Sequence, residues 1–253
     1  MDYHVKKFRD GQVTATILKE GNLAVSLRGN SYEDLFTAAT IKEAWDAHHC
    51  LDKTATATLT LYCLIGQRSD RRFHEKKSFD LKVIARFINA MKFDRVSVLH
   101  PHSAVSLALI ENSVAIDHFE YVQQAYQAIG TDPVLVSPDA GAYKTTHQIA
   151  ERLHADLIPS NKVRINGKPV ISIQGDVKVK ECLIVDDIAD GGRTFKHLAE
   201  ALKNQGASKV FLYVTHAQFN YGFEELKEHI DHVYCTNSYR DIDDAYVTQY
   251  DVI

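Results

Sequence analysis

The segment Cys182-Leu-Ile-Val-Asp-Asp-Ile-Ala-Asp-Gly-Gly-Arg-Thr194 concentrates more chemistry than any other stretch of the chain. An apolar run leads into Asp186 and Asp187, and Asp190, Gly191, Gly192, Arg193 and Thr194 follow before a helical pattern begins. In an open parallel sheet, ligands bind at the carboxyl ends of strands, where helices start. Glycines there let backbone N–H groups approach an anion, and the helix terminus adds favourable partial charge. Arg193 and Thr194 add side-chain donors. Carboxylates at Asp186 and Asp187, expected at the strand tip, suit vicinal hydroxyls or a metal-bound water. One short segment therefore offers both halves of a sugar-phosphate site. An acidic strand end with a capping loop would use some of these residues, but three acids and two glycines at one junction point to a ligand.

The elements that must position this segment alternate. Strand-like apolar runs occur at Ala55–Ile65, Arg95–Leu99, Val134–Ser137, Pro169–Ile173, Cys182–Val185, Lys209–Thr215 and His232–Thr236. Helical patterns lie between them. Ser78–Met91 has Phe79, Val83, Phe87 and Met91 at four-residue spacing, which predicts one apolar face. Tyr143–Leu153 and Thr194–Asn204 read likewise, the second stopped by Gly206. Such alternation predicts an α/β protein with mostly parallel sheets flanked by helices. Strand–loop–helix units with polar tips recur in both halves, so two domains are expected, over residues 1–116 and 117–253. Val5–Leu27 reads as short antiparallel strands around the turn signal Asp10-Gly11.

Composition narrows the function classes. The net charge of -4 gives no general attraction to nucleic acid or anionic membrane, so any polyanion must be held by a local site. The apolar stretches are strand-length, which excludes a helical membrane span, and Met1-Asp2-Tyr3-His4 lacks a signal-peptide layout. Cys50, Cys63, Cys182 and Cys235 are scattered without a CxxC pair, which fits a reducing cytoplasm.

Asp186–Thr194 resembles the ribose-phosphate loop of type I phosphoribosyltransferase folds, and in particular that of ribose-phosphate pyrophosphokinases. The resemblance extends along the chain. Phe8-Arg-Asp-Gly-Gln12 is similar to a family segment that reaches a neighbouring subunit's ATP, and Arg68-Ser-Asp-Arg71 to its ATP-binding run. His102, in Leu99-His-Pro-His102, falls where the family has a histidine near the metal. Val136-Ser-Pro-Asp-Ala-Gly141, Lys162-Val-Arg164 and Thr236-Asn237 resemble three further family segments, the middle one being the paired bases of a mobile catalytic loop. Seven matches in order make the resemblance specific. It implies two phosphoribosyltransferase-like domains and a homo-oligomer. It also implies a Mg2+-dependent transfer of pyrophosphate from ATP to the anomeric hydroxyl of ribose 5-phosphate.

The residue types suit those roles. In-line attack on the β-phosphorus requires both substrates to be positioned and the charge on phosphate oxygens to be neutralised. Asp139, at a strand end, is the best single oxygen ligand for magnesium, with His102 beside it in the implied metal set. Phe8, Asp10, Gln12, Arg68, Asp70 and Arg71 form the implied ATP contacts, and a guanidinium at Arg68 can grip phosphate bidentately. Lys162 and Arg164 lie on the polar stretch Pro159–Gly167, expected between strands and able to fold over the phosphates. A solvated basic loop is the plainer account of that pair, as packing or helix capping is for His102. Arg72, Lys76 and Lys77 extend a basic run expected to be solvated surface, and His216 is expected to end its strand facing the ligand crevice.

The sequence departs from the family pattern in places. The family's usual opening strand and helix do not precede Phe8, Gln12 replaces an acid, and Ser69 replaces a glutamine. The phosphate loop reads Asp-Gly-Gly-Arg-Thr. Gly191 removes a hydroxyl and opens space, while Arg193 adds a long donor. That loop fits ribose 5-phosphate, and equally a ribose whose 5-phosphate is esterified, such as ADP-ribose. A phosphoribosyltransferase that consumes PRPP would need a hood over a nucleobase, and none is evident. A non-catalytic regulatory homologue would be favoured by loss of Lys162, Arg164 or Asp139, all of which are present.

Overall fold

The structure, a computed structural model, describes residues 2–49, 54–165 and 168–253, without the side chains of 162–165 and 168–170. Cys50 lies outside the described residues. The chain divides into two compact units, one running to Asp117 and one spanning His118–Val252.

Unit 1 begins with an antiparallel hairpin, β1 (Tyr3–Lys7) and β2 (Val13–Ile17), in which Lys7 pairs with Val13. A parallel sheet follows: β3 (Leu23–Leu27), α1 (Tyr32–His48), β4 (Ala57–Leu61), α2 (Asp80–Ala90), β5 (Arg95–Leu99), α3 (Ala104–Leu109) and β6 (Ser113–Ile116), in strand order β3-β4-β5-β6. Leu23–Leu27 thus joins the parallel sheet and not the antiparallel group expected around Asp10-Gly11. Each new strand adds on the same edge, so right-handed crossovers place all three helices on one face. Leu35, Ala38 and Ile41 of α1 share one core with Leu81, Ile84 and Ile88 of α2.

That core corrects the reading of Ser78–Met91. The helix buries Leu81, Ile84, Ala85 and Ile88, while Val83 and Phe87 face outward. Two apolar stripes share this helix, and spacing alone does not say which one meets the sheet. The expected strand over Ala55–Ile65 also shortens to Ala57–Leu61, because the chain then turns: Cys63 N donates to Arg28 O (2.6 Å) and Ile65 N to Gly29 O (2.9 Å).

Unit 2 contains α4 (Phe119–Ile129), β7 (Val134–Ser137), α5 (Ala140–Leu153), β8 (Leu157–Ile165), β9 (Lys168–Ile173), β10 (Glu181–Ala189), α6 (Arg193–Asn204), β11 (Lys209–Ala217), β12 (His232–Thr236) and β13 (Val247–Tyr250). Its sheet has the order β13-β12-β11-β10-β7-β8-β9, parallel throughout except for the β8–β9 pair. Both faces are covered: Cys182 and Ile184 pack with Phe195 and Leu198 of α6, while Leu183 and Val185 pack with Val122 of α4 and Ile149 of α5. Double burial is why these strands read as unbroken apolar runs. From β7 the chain builds outward in one direction through β8, then returns to place β10 on the other side. That reversal leaves a crevice at the carboxyl ends of β7 and β10. No helix among the described residues is long and apolar enough to cross a membrane.

Gly29 holds the Tyr62–Ile65 turn in unit 1. Its φ is +75°, and a Cβ there would lie 2.4 Å from Cys63 O. Left-handed strain and overpacking add, so Gly29→Ala is expected to destabilise the fold by about 3 kcal/mol. Urea unfolding of the variant against the parent protein checks this.

Candidate functional site

β7 pairs with β10 only from Val134↔Cys182 to Val136↔Ile184, and β7 ends at Ser137. β10 continues to Ala189 with β11 alone, through Asp186↔Val214, Ile188↔His216 and Ala189↔Ala217. Asp186 and Asp187 therefore lie within the strand and not at its tip. The apolar run ends at Val185, but β11 remains available as a pairing partner for four more residues. The two carboxylates occupy the stretch that has outrun β7. Asp187 N donates to Asp186 Oδ1 at 2.9 Å. Burial pushes the Asp186 carboxyl well above the usual carboxylate range, and the charges of Asp187 and Asp139 push in the same direction. Asp139 thus acts on the same crevice from the end of β7. One of its oxygens, Oδ1, caps α5 by accepting from Ala142 N at 3.0 Å.

The turn after β10 is fixed from below. Gly192 takes φ +72° as the N-cap of α6, a conformation other residues adopt only under strain, and a Cβ there would approach Leu226 to 3.1 Å. Arg193 and Thr194 open the helix with exposed side chains. Asp190 is tied to the segment following β11: Asn220 Nδ2 donates to its Oδ1 (2.7 Å), and Asn220 N to its carbonyl (3.0 Å). The Ala189 carbonyl accepts from both Gln218 N (2.9 Å) and Phe219 N (3.0 Å). Tyr221, 83% exposed, lies against Gly191, where a Cβ would come within 3.1 Å of its ring. Sequence reasoning missed Asn220 and Tyr221. Their signal was positional, a polar and aromatic segment just past the strand next to β10.

The remaining candidates fall in several places. Lys162 and Arg164 belong to β8, with backbone register to Ile171 and Pro169 of β9. The expected interstrand loop is therefore one arm of a hairpin, as Val163, Ile165, Val170 and Ile171 favour extended backbone. The pair is two residues apart, the spacing at which a pleated strand returns to one face. His216 is fully buried and not crevice-lining: Nδ1 meets Ser238 Oγ at 2.9 Å, and that hydroxyl donates to Thr215 O at 3.0 Å. Asn237 is buried as well, holding Asp251 and the Val252 backbone. In unit 1, Phe8–Gln12 is the exposed hairpin tip, closed by Phe8 N to Gln12 O (2.8 Å) and Gln12 N to Asp10 Oδ1 (3.0 Å). Arg68 and Arg71 are exposed, and Arg71 lies 3.7 Å from Asp70. Arg71, Arg72, Lys76 and Lys77 are all exposed surface. His102 is exposed, and its backbone N donates at 3.0 Å to Gln67 Oε1. Gln67 is a buried residue that sequence reasoning also missed, and it ties the His102 loop to the Arg68–Arg71 segment.

Residues 112–245, just over half of the chain, match the family model described as phosphoribosyl transferase domain. The chain belongs to the phosphoribosyl transferase domain family. It is 34% identical over 161 residues to a ribose-phosphate pyrophosphokinase of Vibrio parahaemolyticus, covering 60% of this chain and 51% of that one. A ribose-phosphate pyrophosphokinase of Xanthomonas campestris is 37% identical over 158 residues, 59% of this chain and 49% of the relative. The chain spans about half the length of the curated relatives it matches. A crystal structure of phosphoribosylpyrophosphate synthetase from Mycobacterium smegmatis shares the fold, with a TM-score of 0.79 at 19% identity, over 99% of this chain and 86% of that one.

Within this phosphoribosyl transferase domain the acidic crevice has a measurable signature. Asp186 holds its proton more tightly folded than unfolded, so the stabilisation is present at low pH. It is lost as pH rises from the ordinary carboxylate range through the raised folded value. Asp186→Asn keeps the shape and removes the charge. The variant is expected to melt higher than the parent protein at about pH 8, with the gap shrinking towards about pH 4. Thermal unfolding across that range checks it, and a variant less stable at the higher pH contradicts the assigned strain.

Proposed function

We propose that the chain transfers the β,γ-pyrophosphate of ATP to the anomeric hydroxyl of ribose 5-phosphate, giving PRPP and AMP. The observation that carries this is the β10 overhang: two carboxylates on a strand segment paired on one side only, leading through a left-handed glycine into a helix N-terminus. The similarity to ribose-phosphate pyrophosphokinases supports the choice of reaction.

In this reading Asp186 and Asp187 accept hydrogen bonds from the vicinal ribose hydroxyls, and the Gly191–Thr194 backbone with Arg193 holds the phosphate. Phe8, Asp10 and Gln12 contact ATP bound to a neighbouring copy, Arg68, Asp70 and Arg71 contact ATP on their own copy, and His102 stands near the magnesium and the β-phosphate. The ribose hydroxyl oxygen bonds to the β-phosphorus, the α–β bridging bond breaks, AMP departs, and the hydroxyl proton passes to solvent. Lys162 and Arg164 neutralise the oxygens of the transferring group. Magnesium would supply charge neutralisation across the phosphates. No three His, Cys, Asp or Glu side chains cluster to cage a metal among the described residues. Asp139, with one oxygen engaged in capping, fits a cation that takes its other ligands from phosphates and water.

The direct test is AMP release from ATP and magnesium with ribose 5-phosphate, with ADP-ribose and with no acceptor. Acceptor-dependent AMP is expected, and its absence with every acceptor would sink the enzyme reading. Lys162→Ala is expected to lower turnover by about a hundredfold or more with little change in Michaelis constant, because its contact strengthens in the transition state. A raised Michaelis constant at unchanged turnover would contradict that role.

ADP-ribose is the second reading, favoured by one feature: the exposed Tyr221 ring lying against Gly191, close in sequence to exposed Arg193. A diphosphate could meet Arg193 and a base could stack on Tyr221. Under this reading Tyr221→Ala raises the Michaelis constant for ADP-ribose about tenfold and leaves that for ribose 5-phosphate unchanged. Steady-state kinetics with the two acceptors decides between the readings.

A further inference from the structure

β8 changes partners at Ser160. Its parallel pairing with β7 ends at Ser137↔Pro159, and its antiparallel pairing with β9 begins at Ser160↔Ile173. The same residue carries a hydroxyl that reaches back to β7. Ser160 Oγ lies 2.8 Å from Ser137 O and 3.0 Å from Pro138 O, so its single proton is shared between the two carbonyls. Ser160 and Ser137 are both shut away from water, at 1% and 0% exposure. Pro138 lies past the last β7–β8 pair, so the hydroxyl extends the grip of β8 onto the turn that leads into α5. Asp139 comes next on that turn and caps α5 through Oδ1. Along β8 in the other direction, Lys162 and Arg164 follow Ser160 on alternate residues of the strand.

We propose that Ser160 is a positioning residue: its hydroxyl clamps the root of the β8–β9 hairpin, which carries Lys162 and Arg164, to the turn that carries Asp139. This role rests on the pyrophosphate transfer proposed above and adds to it a residue that acts through others. Lys162 and Arg164 neutralise phosphate oxygens whose charge a cation at Asp139 also neutralises, so the two arms must keep a fixed spacing as charge develops. Strands that part after Ser137↔Pro159 do not fix that spacing by themselves. A buried hydroxyl shared by two carbonyls does, because breaking it leaves polar groups without a partner away from water. An apolar side chain would fill this buried strand position with no hydrogen-bonding demand, so what the hydroxyl contributes is the clamp.

Ser160→Ala is expected to lower turnover in acceptor-dependent AMP release by about tenfold, with Michaelis constants for ATP and ribose 5-phosphate within about twofold of the parent and an unchanged circular dichroism spectrum. In a Lys162→Ala background the same substitution is expected to cost at most about threefold, because a group that Ser160 positions is already gone. A merely structural loss would be the same size in both backgrounds. That result overturns the proposal, as does turnover that Ser160→Ala leaves unchanged. Hydrogen exchange separates the clamp from the reaction. In Ser160→Ala, backbone amides in 139–145 and in 160–165 are expected to exchange about tenfold faster, while those at the start of α6 keep their rates. Exchange unchanged in either segment overturns the clamp whatever the protein catalyses. No AMP release by the parent protein with any acceptor overturns the transfer and the role of Ser160 in it, and exchange then decides the clamp alone.

Discussion

The site rests on a mismatch in strand length. β7 stops at Ser137 while β10 runs on to Ala189 with only β11 beside it, so the last stretch of β10 has sheet on one side and open crevice on the other. The mismatch gives Asp186 and Asp187 the rigidity of a strand without a strand neighbour to exclude a ligand. It also strains the crevice: the charges of Asp187 and Asp139 both act against Asp186, and burial raises the Asp186 carboxyl. Hydroxyl donors or a cation would relieve that strain, which is how a binding site differs from a satisfied core.

The rest of unit 2 keeps that geometry still. The Ala189 carbonyl accepts twice and Asp190 is gripped by Asn220, so the turn into α6 is held by the segment after β11. That segment is anchored in turn by a buried polar knot, in which Thr236 Oγ1 and Ser238 Oγ both donate to Thr215 O and His216 meets Ser238. The helix termini of α5 and α6 then flank the crevice, one capped by Asp139 and one by Gly192. Rigid support for a small set of exposed donors is what recognition of a sugar phosphate requires.

Much of this was legible in the sequence because it rests on local chemistry. The Asp186–Thr194 segment, the alternation of strands and helices and the hairpin turn at Asp10-Gly11 depend on neighbours in the chain. What escaped depends on pairing. Where β10 ends is decided by β11, so the carboxylates were expected at a tip and lie inside a strand. The stretch around Lys162 and Arg164 pairs with β9, which polarity alone does not reveal. Phe79, Val83, Phe87 and Met91 looked like the buried stripe of α2, yet Val83 and Phe87 face outward, and Leu81, Ile84 and Ile88 share the core with Met91. Asn220 and Tyr221 touch the site from distant sequence positions, and no local pattern marks them.

The central claim is that the β10 overhang and the α6 terminus together bind a ribose phosphate, and titration calorimetry with ribose 5-phosphate and with ADP-ribose in the absence of ATP addresses it most directly. At least one of the two is expected to give saturable binding that Asp187→Ala weakens by about tenfold or more and Lys162→Ala leaves intact. Binding unaffected by Asp187→Ala, or no binding of either acceptor to the parent protein, would contradict the account.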